Sequence, residues 1–222
     1  MENSKQLNRI ERIKCGNSNC FLVRGNSSGI LIDTGRTKYR EKILEACKDI
    51  EISLIILTHG HVDHIQNAAF LSQNLNAPIA MHSADKDLIK NNMLEPPSAE
   101  KLLGKVILGL TIESFKNDYI EPFEPSLFLE EGDSLKPYGV DAKVIAIPGH
   151  TKGSIGIQVG TKDLIVGDAL MNLFYPTVSM LYGDKQVMLA SAAKITEQGK
   201  VTIHFGHGKS VANKQWVKNA KE

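Results

Sequence analysis

The sequence predicts an α/β protein, on three observations. Short apolar runs rich in Ile, Leu and Val recur along the chain and stop at Gly, Pro or Asp, as strands do. Between them lie stretches whose apolar residues return at three- and four-residue spacing, as on one face of a helix. One apolar run passes directly into one such stretch through a turn crowded with histidine, Thr58-His59-Gly60-His61-Val62-Asp63-His64.

In chain order, Arg9 to Lys14 and Cys20 to Arg24 read as two strands joined by a Gly-Asn-Ser-Asn turn. Gly29 to Gly35 is an apolar run ending in Asp33-Thr34-Gly35, and Tyr39, Ile43, Leu44 and Cys47 mark a helix face. Ile52 to Leu57 is short and β-branched, a buried strand; Ile65 to Leu75 follows as a helix. Pro78 to His82 gives a short strand, with His82 at its end as a hydrogen-bonded structural histidine. Asp85 to Glu124 mixes apolar residues with several prolines and reads as one or two amphipathic helices inserted into a single domain spanning 1–222. Its apolar face can cover a site, meet a sister subunit as a homodimer, or form an ordinary helical layer on the sheet. The β pattern returns at Leu127 to Leu129, Ala142 to Ile147, Ser154 to Val159, Leu164 to Asp168 and Val201 to Gly208, the last a strand ending at another histidine. Gly183 to Gln198 reads as a helix, and Lys214 to Ala220 as a terminal one.

Composition narrows the class. With 222 residues the chain is long enough for a substantial core. Lys and Arg number 26 against 25 Asp and Glu, so no global field favours nucleic acid or an anionic membrane as partner. The expected partner is a small-molecule substrate. Met1 to Asn8 is polar, without the apolar core of a secretory signal, and no apolar run reaches bilayer length. Cys15, Cys20 and Cys47 are an odd set without metal-ligand spacing. A Cys15–Cys20 cross-strand disulfide is conceivable, but scattered thiols suit a reducing cytoplasm, the expected location.

The histidine turn carries the chemistry. Neutral imidazoles and a carboxylate packed this densely suit a borderline divalent metal, Zn first, with Fe or Mn as further choices. His59 and His61, two positions apart, can chelate one ion, while Asp63 and His64 at the helix start reach a second. His150, Asp168 and His207 repeat the pattern: each stands after an apolar β run with Gly beside it. If these strands lie side by side, their ends bring all the groups to one rim, where α/β sheets commonly bind ligands. Asp33 is either a turn former or a carboxylate that orients a metal-bound histidine from behind. His204 falls out of phase and reads as a core or sheet-face residue, and Lys152 as a solvated loop lysine.

The order Asp-Thr-Gly, Thr-His-x-His-x-Asp-His, Pro-Gly-His-Thr, Gly-Asp, Gly-His-Gly resembles the metallo-β-lactamase superfamily. The match runs from about Ile30 to Gly208, apart from Asp85–Glu124. The resemblance implies a four-layer αββα sandwich with a binuclear site at one sheet edge. It assigns His59, His61 and His150 to one metal and Asp63, His64 and His207 to another, with Asp168 bridging and Asp33 and Thr58 supporting from behind. It implies a binuclear hydrolase of a small ester, thioester or lactone acting through a bridging hydroxide, with Asp63 and Asp168 catalytic. A phosphodiesterase, or a persulfide dioxygenase using one iron on His59, His150 and Asp168, are the alternatives. Asp168 argues against antibiotic hydrolysis, and His61 against the flavodiiron oxidoreductases. Only residues 208–222 follow His207, so the helical C-terminal domain of typical glyoxalase II is not expected. Tyr175 is the nearest counterpart of the tyrosine that lactonases place after the bridging Asp.

Overall fold

The computed structural model describes residues 8–217. Strands β1 (Arg9–Cys15), β2 (Ser18–Arg24), β3 (Ser28–Ile32), β4 (Glu51–Ile56), β5 (Ile79–Met81) and β6 (Leu127–Phe128) form a six-stranded sheet in sequential order. The first three are antiparallel neighbours, and β3 through β6 run parallel. A second sheet has the order β13-β12-β9-β8-β7, from β7 (Ala142–Ala146), β8 (Ile155–Val159), β9 (Asp163–Ile165), β12 (Thr202–His204) and β13 (Val211–Ala212). Between them in sequence, β10 (Leu170–Met171) and β11 (Thr177–Val178) make a small hairpin. The helices are α1 (Arg40–Cys47), α2 (Val62–Ile65), α3 (Ala68–Leu75), α4 (Leu102–Asn117) and α5 (Lys185–Thr196).

Two-residue alternation explains the layering. Phe21, Val23, Ile30, Ile32, Leu54 and Ile56 point from the first sheet toward Val144, Ile155, Ile157 and Ile165 of the second. Their neighbours Leu22, Leu31 and Ile55 face the other way, onto Ile43 of α1 and Leu71 of α3. The outer face of the second sheet (Ile145, Leu164, Ile203) packs on Ala192 and Ile195 of α5. The architecture is therefore a four-layer αββα sandwich. Asp184 caps α5 by accepting the Val187 N–H at 3.0 Å, a contact worth about 1 kcal/mol.

Several expectations need correction. The condition that the site-bearing strands lie side by side is met only for β9 and β12; β4 belongs to the other sheet, and β8 separates β7 from β9. The Ile65–Leu75 helix is broken at Gln66-Asn67, because the buried Asn67 amide turns to donate to the carbonyls of Thr34 (2.8 Å) and Arg36 (2.7 Å). The first turn is tighter than read, Gly16 and Asn17 alone separating β1 from β2. Cys15 pairs with Ser18 and Cys20 with Ile13, so the two cysteines are diagonal neighbours; both are free thiols, 3.7 Å apart. Within 85–124 there is one long helix, α4, preceded by short 3-10 turns at Ser83–Ile89 and Asn92–Leu94. Of the expected terminal helix, residues 214–217 are irregular and the rest lies outside the described residues, as do Met1 to Leu7. No helix among the described residues is long and apolar enough to cross a membrane.

Candidate metal centre

The centre forms where the two sheets meet. The strand β4 stops at Ile56, and the carbonyl of Thr58 accepts the Ile155 N–H at 2.9 Å, stitching the first sheet to the second beside His59. His61 keeps extended backbone and Val62 opens α2, which places Asp63 and His64 on its first turn. The loops after β7, β9 and β12 deliver His150, Asp168 and His207. Donor atoms of His59, His61 and His150 lie within 4.8 Å of one another, and so do those of His59, His64 and Asp168, and of Asp63, His64 and His207. Asp168 lies between the groups: Oδ1 is 3.5 Å from His64 Nε2, while Oδ2 is 3.1 Å from His207 Nε2 and 3.7 Å from His150 Nε2. The approach is close enough to demand glycine at 206, where a Cβ would stand 2.2 Å from Asp168 Oδ1 and 2.9 Å from the His64 ring.

Contacts behind the rings fix which nitrogen faces inward. Thr58 donates its hydroxyl to Asp33 Oδ2 (2.9 Å), so its oxygen accepts from His59 Nδ1–H at 3.1 Å. His64 Nδ1–H donates to Asp33 Oδ2 (2.9 Å), His150 Nδ1–H to the Leu181 carbonyl (2.8 Å) and His207 Nδ1–H to that of Asn17 (2.8 Å). All four rings then present Nε2 to the centre. His61 is turned the other way, its Nδ1 2.9 Å from His150 Nε2 and its ring 4.7 Å from that of Phe115. Asp33 also accepts the Thr58 N–H at 2.8 Å from a left-handed backbone, φ +60°.

Buried polar atoms normally find partners. Here His59 Nε2, His64 Nε2 and Asp168 Oδ1 have none, and all three point into the cluster. Polar atoms left without partners in one small space, each able to offer a lone pair once His64 is neutral, are what a cation would satisfy, so this donor set fits a divalent metal. Asp63 and His207 keep 20% and 14% side-chain exposure while His59, His61 and His64 are buried, which puts the mouth of the site on the Asp63 and His207 side.

Charge in the metal-free cluster is arranged around the carboxylates. Burial lowers the His59 and His61 pKa well below the usual imidazole range, with neighbouring histidines adding to it. Burial also opposes charge on His64, but Asp168, Asp63 and Asp33 outweigh it and raise its pKa to about 10. His207, buried likewise, is raised to about 9 by Asp168 and Asp63. Burial works against ionised Asp168 and Asp63 too, and the imidazolium rings hold both below the ordinary value. Metal ligation requires neutral rings, so loading must expel the protons of His64 and His207. At pH 7.5 metal binding is expected to release about two protons per chain, read by calorimetry in buffers of differing ionisation enthalpy; no buffer dependence would contradict this. The raised His64 and His207 stabilise the metal-free fold fully below about pH 6.5, and that contribution is lost as pH rises through about 9 to 10.

Two residues essential to this geometry escaped the sequence reading. Asp85 is buried and accepts from the Gly60 N–H (2.8 Å), the Gly153 N–H (2.6 Å) and the Thr151 hydroxyl (2.7 Å). It therefore buckles the His59–His61 turn to the His150 loop. Burial raises its pKa, and those three donors work in the opposite direction. Asn92 donates to the Gly60 carbonyl (2.8 Å) and accepts the Val62 N–H (2.7 Å), bracketing His61. Nothing in a mixed polar segment marks either as buried. In Asp85→Asn an amide NH2 must face one of the N–H donors. Affinity for the metal on His59, His61 and His150 is expected to fall about 10- to 100-fold by chelator competition; unchanged affinity would refute the role.

The remaining expectations resolve as follows. Tyr175 is 49% exposed and lines a cavity of about 680 Å³ with Tyr182, Lys185 and Trp216, a lining that includes none of the clustered histidines and aspartates. It lies in the turn 172–176 of the β10–β11 hairpin, whose first residue, Asn172, donates its N–H to the His207 carbonyl at 2.8 Å. His82 accepts the Ala84 N–H and His204 pairs with Asp163 at 2.9 Å, both structural. Lys152 is engaged by Glu95 at 2.6 Å.

A family model described as the metallo-beta-lactamase superfamily matches residues 13–207. An uncharacterized protein of Aquifex aeolicus is 33% identical over 155 residues, 68% of this chain and 65% of its own length, so the chain spans just under two thirds of that relative. The hydroxyacylglutathione hydrolase GloC of Haemophilus influenzae is 28% identical over 197 residues, covering 86% of this chain and 85% of its own. Among solved structures, the BLEG-1 B3 metallo-beta-lactamase superposes with a TM-score of 0.71 at 21% identity, covering 93% of this chain and 95% of that one. At that identity the likeness speaks for the fold alone.

Proposed function

The chain belongs to the metallo-beta-lactamase superfamily, and from that premise we propose that it is a binuclear metallo-hydrolase of a small thioester, ester or lactone. The observation that carries the reading is the placement of Asp168, with one oxygen toward His64 and the other toward His150 and His207. His59, His61 and His150 would hold one ion, and Asp63, His64 and His207 the other, Zn first among the ions such donors accept. When bound, two ions supply an acidified water and polarise the oxygen of the electrophile.

The chain's own residues do the rest. Asp63, at the mouth, holds and orients the proton of the attacking water. Asp33 and Thr58 keep His64 and His59 in the tautomer that leaves Nε2 free. Phe115 walls His61 from solvent. A thioester leads the substrate classes because a relative bearing the name hydroxyacylglutathione hydrolase aligns over 85% of its own length. For the same reason the short stretch after His207 does not count against that class.

The one-iron dioxygenase reading would use His59, His150 and Asp168 and leave the convergence of Asp63, His64 and His207 without a task. The test is a panel of thioesters, lactones and phosphodiesters offered to protein loaded in turn with Zn, Fe and Mn, beside an oxygen electrode with persulfide. Thioester hydrolysis that vanishes in Asp63→Asn supports the proposal. Oxygen uptake with persulfide, without hydrolysis, would replace it.

A further inference from the structure

The helix α4 is apolar on both faces, and only one is covered. Gly104 and Phe115 are buried, Gly104 against Ala99 and Met180, with Ile107, Leu108 and Ile112 partly covered on the same side. The opposite face leaves Leu102 81%, Val106 58% and Leu110 67% exposed, at i, i+4 and i+8. With Leu103 they open roughly 400 Å² of apolar surface, on the scale of the largest patch a typical monomer tolerates. Beside them runs a second exposed ridge, Lys105, Gly109 and Glu113, also at four-residue steps. A Cβ at Gly109 would meet nothing within 4 Å. Neither Lys105 nor Glu113 forms an ion pair among the described residues.

We propose that this face is the contact of a two-fold homodimer, in which α4 packs antiparallel on the α4 of a second copy and the two helices cross at Gly109. The charge pattern selects that occupant. In an antiparallel pair centred on Gly109, a residue four before the crossing meets one four after it on the other helix. Lys105 therefore faces Glu113 of the second copy, and Glu113 faces its Lys105, so both free charges are satisfied twice by the symmetry of a single contact. Glycine at the crossing lets the backbones approach closely. Sixteen residues give a helix about 24 Å long, enough for a face-to-face pair. The four apolar side chains supply about half of the roughly 800 Å² per partner that a standard interface buries, and the stems of the flanking charged residues add to it. The pairing is independent of the reaction assigned above, although the covered face of α4 carries the Phe115 that walls His61.

The test is analytical ultracentrifugation of the full chain over a concentration series. The expected species has twice the 24.4 kDa of one chain. Lys105→Glu or Glu113→Lys alone should weaken association about tenfold or more, and the double swap Lys105→Glu/Glu113→Lys should restore it. A Gly109→Cys protein should cross-link to its own copy under dioxygen with a copper catalyst, whereas Leu102→Cys, far from the axis, should not. A monomer at every concentration overturns the proposal, whether or not that monomer binds anionic vesicles through α4. A dimer that ignores both single charge changes overturns the antiparallel register.

Discussion

Replacing Asp168 by asparagine is expected to lower kcat by about 10³-fold or more, equivalent to roughly 4 kcal/mol of transition-state stabilisation, while the fold survives. The carboxylate reaches both halves of the cluster, with His64 on one oxygen and His150 and His207 on the other. An amide of the same shape offers one neutral acceptor where two anionic ones stood. Bound metal should therefore fall from two equivalents toward one. The metal-free fold gives up part of the stability that the raised His64 and His207 contribute, but it survives the loss of the negative charge of Asp168. Remove it and those rings lose their protons more easily, so no buried charge is stranded. Circular dichroism and thermal unfolding of the purified variant would check the fold, and near-native turnover would contradict the assignment.

The second large effect is expected at Asp33, which never touches substrate. Its carboxylate accepts from the Thr58 N–H, the Thr58 hydroxyl and His64 Nδ1, all buried. Asp33→Ala strands these donors and removes a carboxylate facing a charged ring, so unfolding free energy should drop by about 3–5 kcal/mol and turnover about 100-fold. Asp33→Asn separates the two roles. Its carbonyl still accepts the Thr58 N–H, so most of the stability should remain. Its NH2, however, faces His64 Nδ1 and favours the tautomer carrying its proton on Nε2, which blocks that nitrogen for metal. Asparagine should thus keep the melting temperature near native and still lose affinity at the His64 site. Equal losses of both in the two variants would mean Asp33 is structural only.

The ligand-type residues were legible because local rules place them: each follows an apolar run that must be a strand and stops at a glycine that must turn. Which sheet each strand joins is a long-range matter that two-residue alternation does not encode. That is why local pattern could not say that β4 and β7 lie in facing layers. Asp85 and Asn92 were invisible for a related reason. Their carboxylate and amide matter only because the fold folds them under Gly60, and a polar residue in a mixed segment reads as surface. Asn67 broke a helix that periodicity ran straight through, since a buried amide reaching Thr34 and Arg36 outweighs propensity. For α4 the apolar pattern ran nearly all round, so the sequence could place a helix there without saying which face would be left open.

The most direct test of the central claim is metal stoichiometry on the refolded, metal-depleted chain, by equilibrium dialysis against Zn, Fe or Mn followed by elemental analysis. Two equivalents per chain, falling to about one in Asp168→Asn and in His207→Ala, is the predicted result. One equivalent in the native protein, unaltered by His207→Ala, would contradict it.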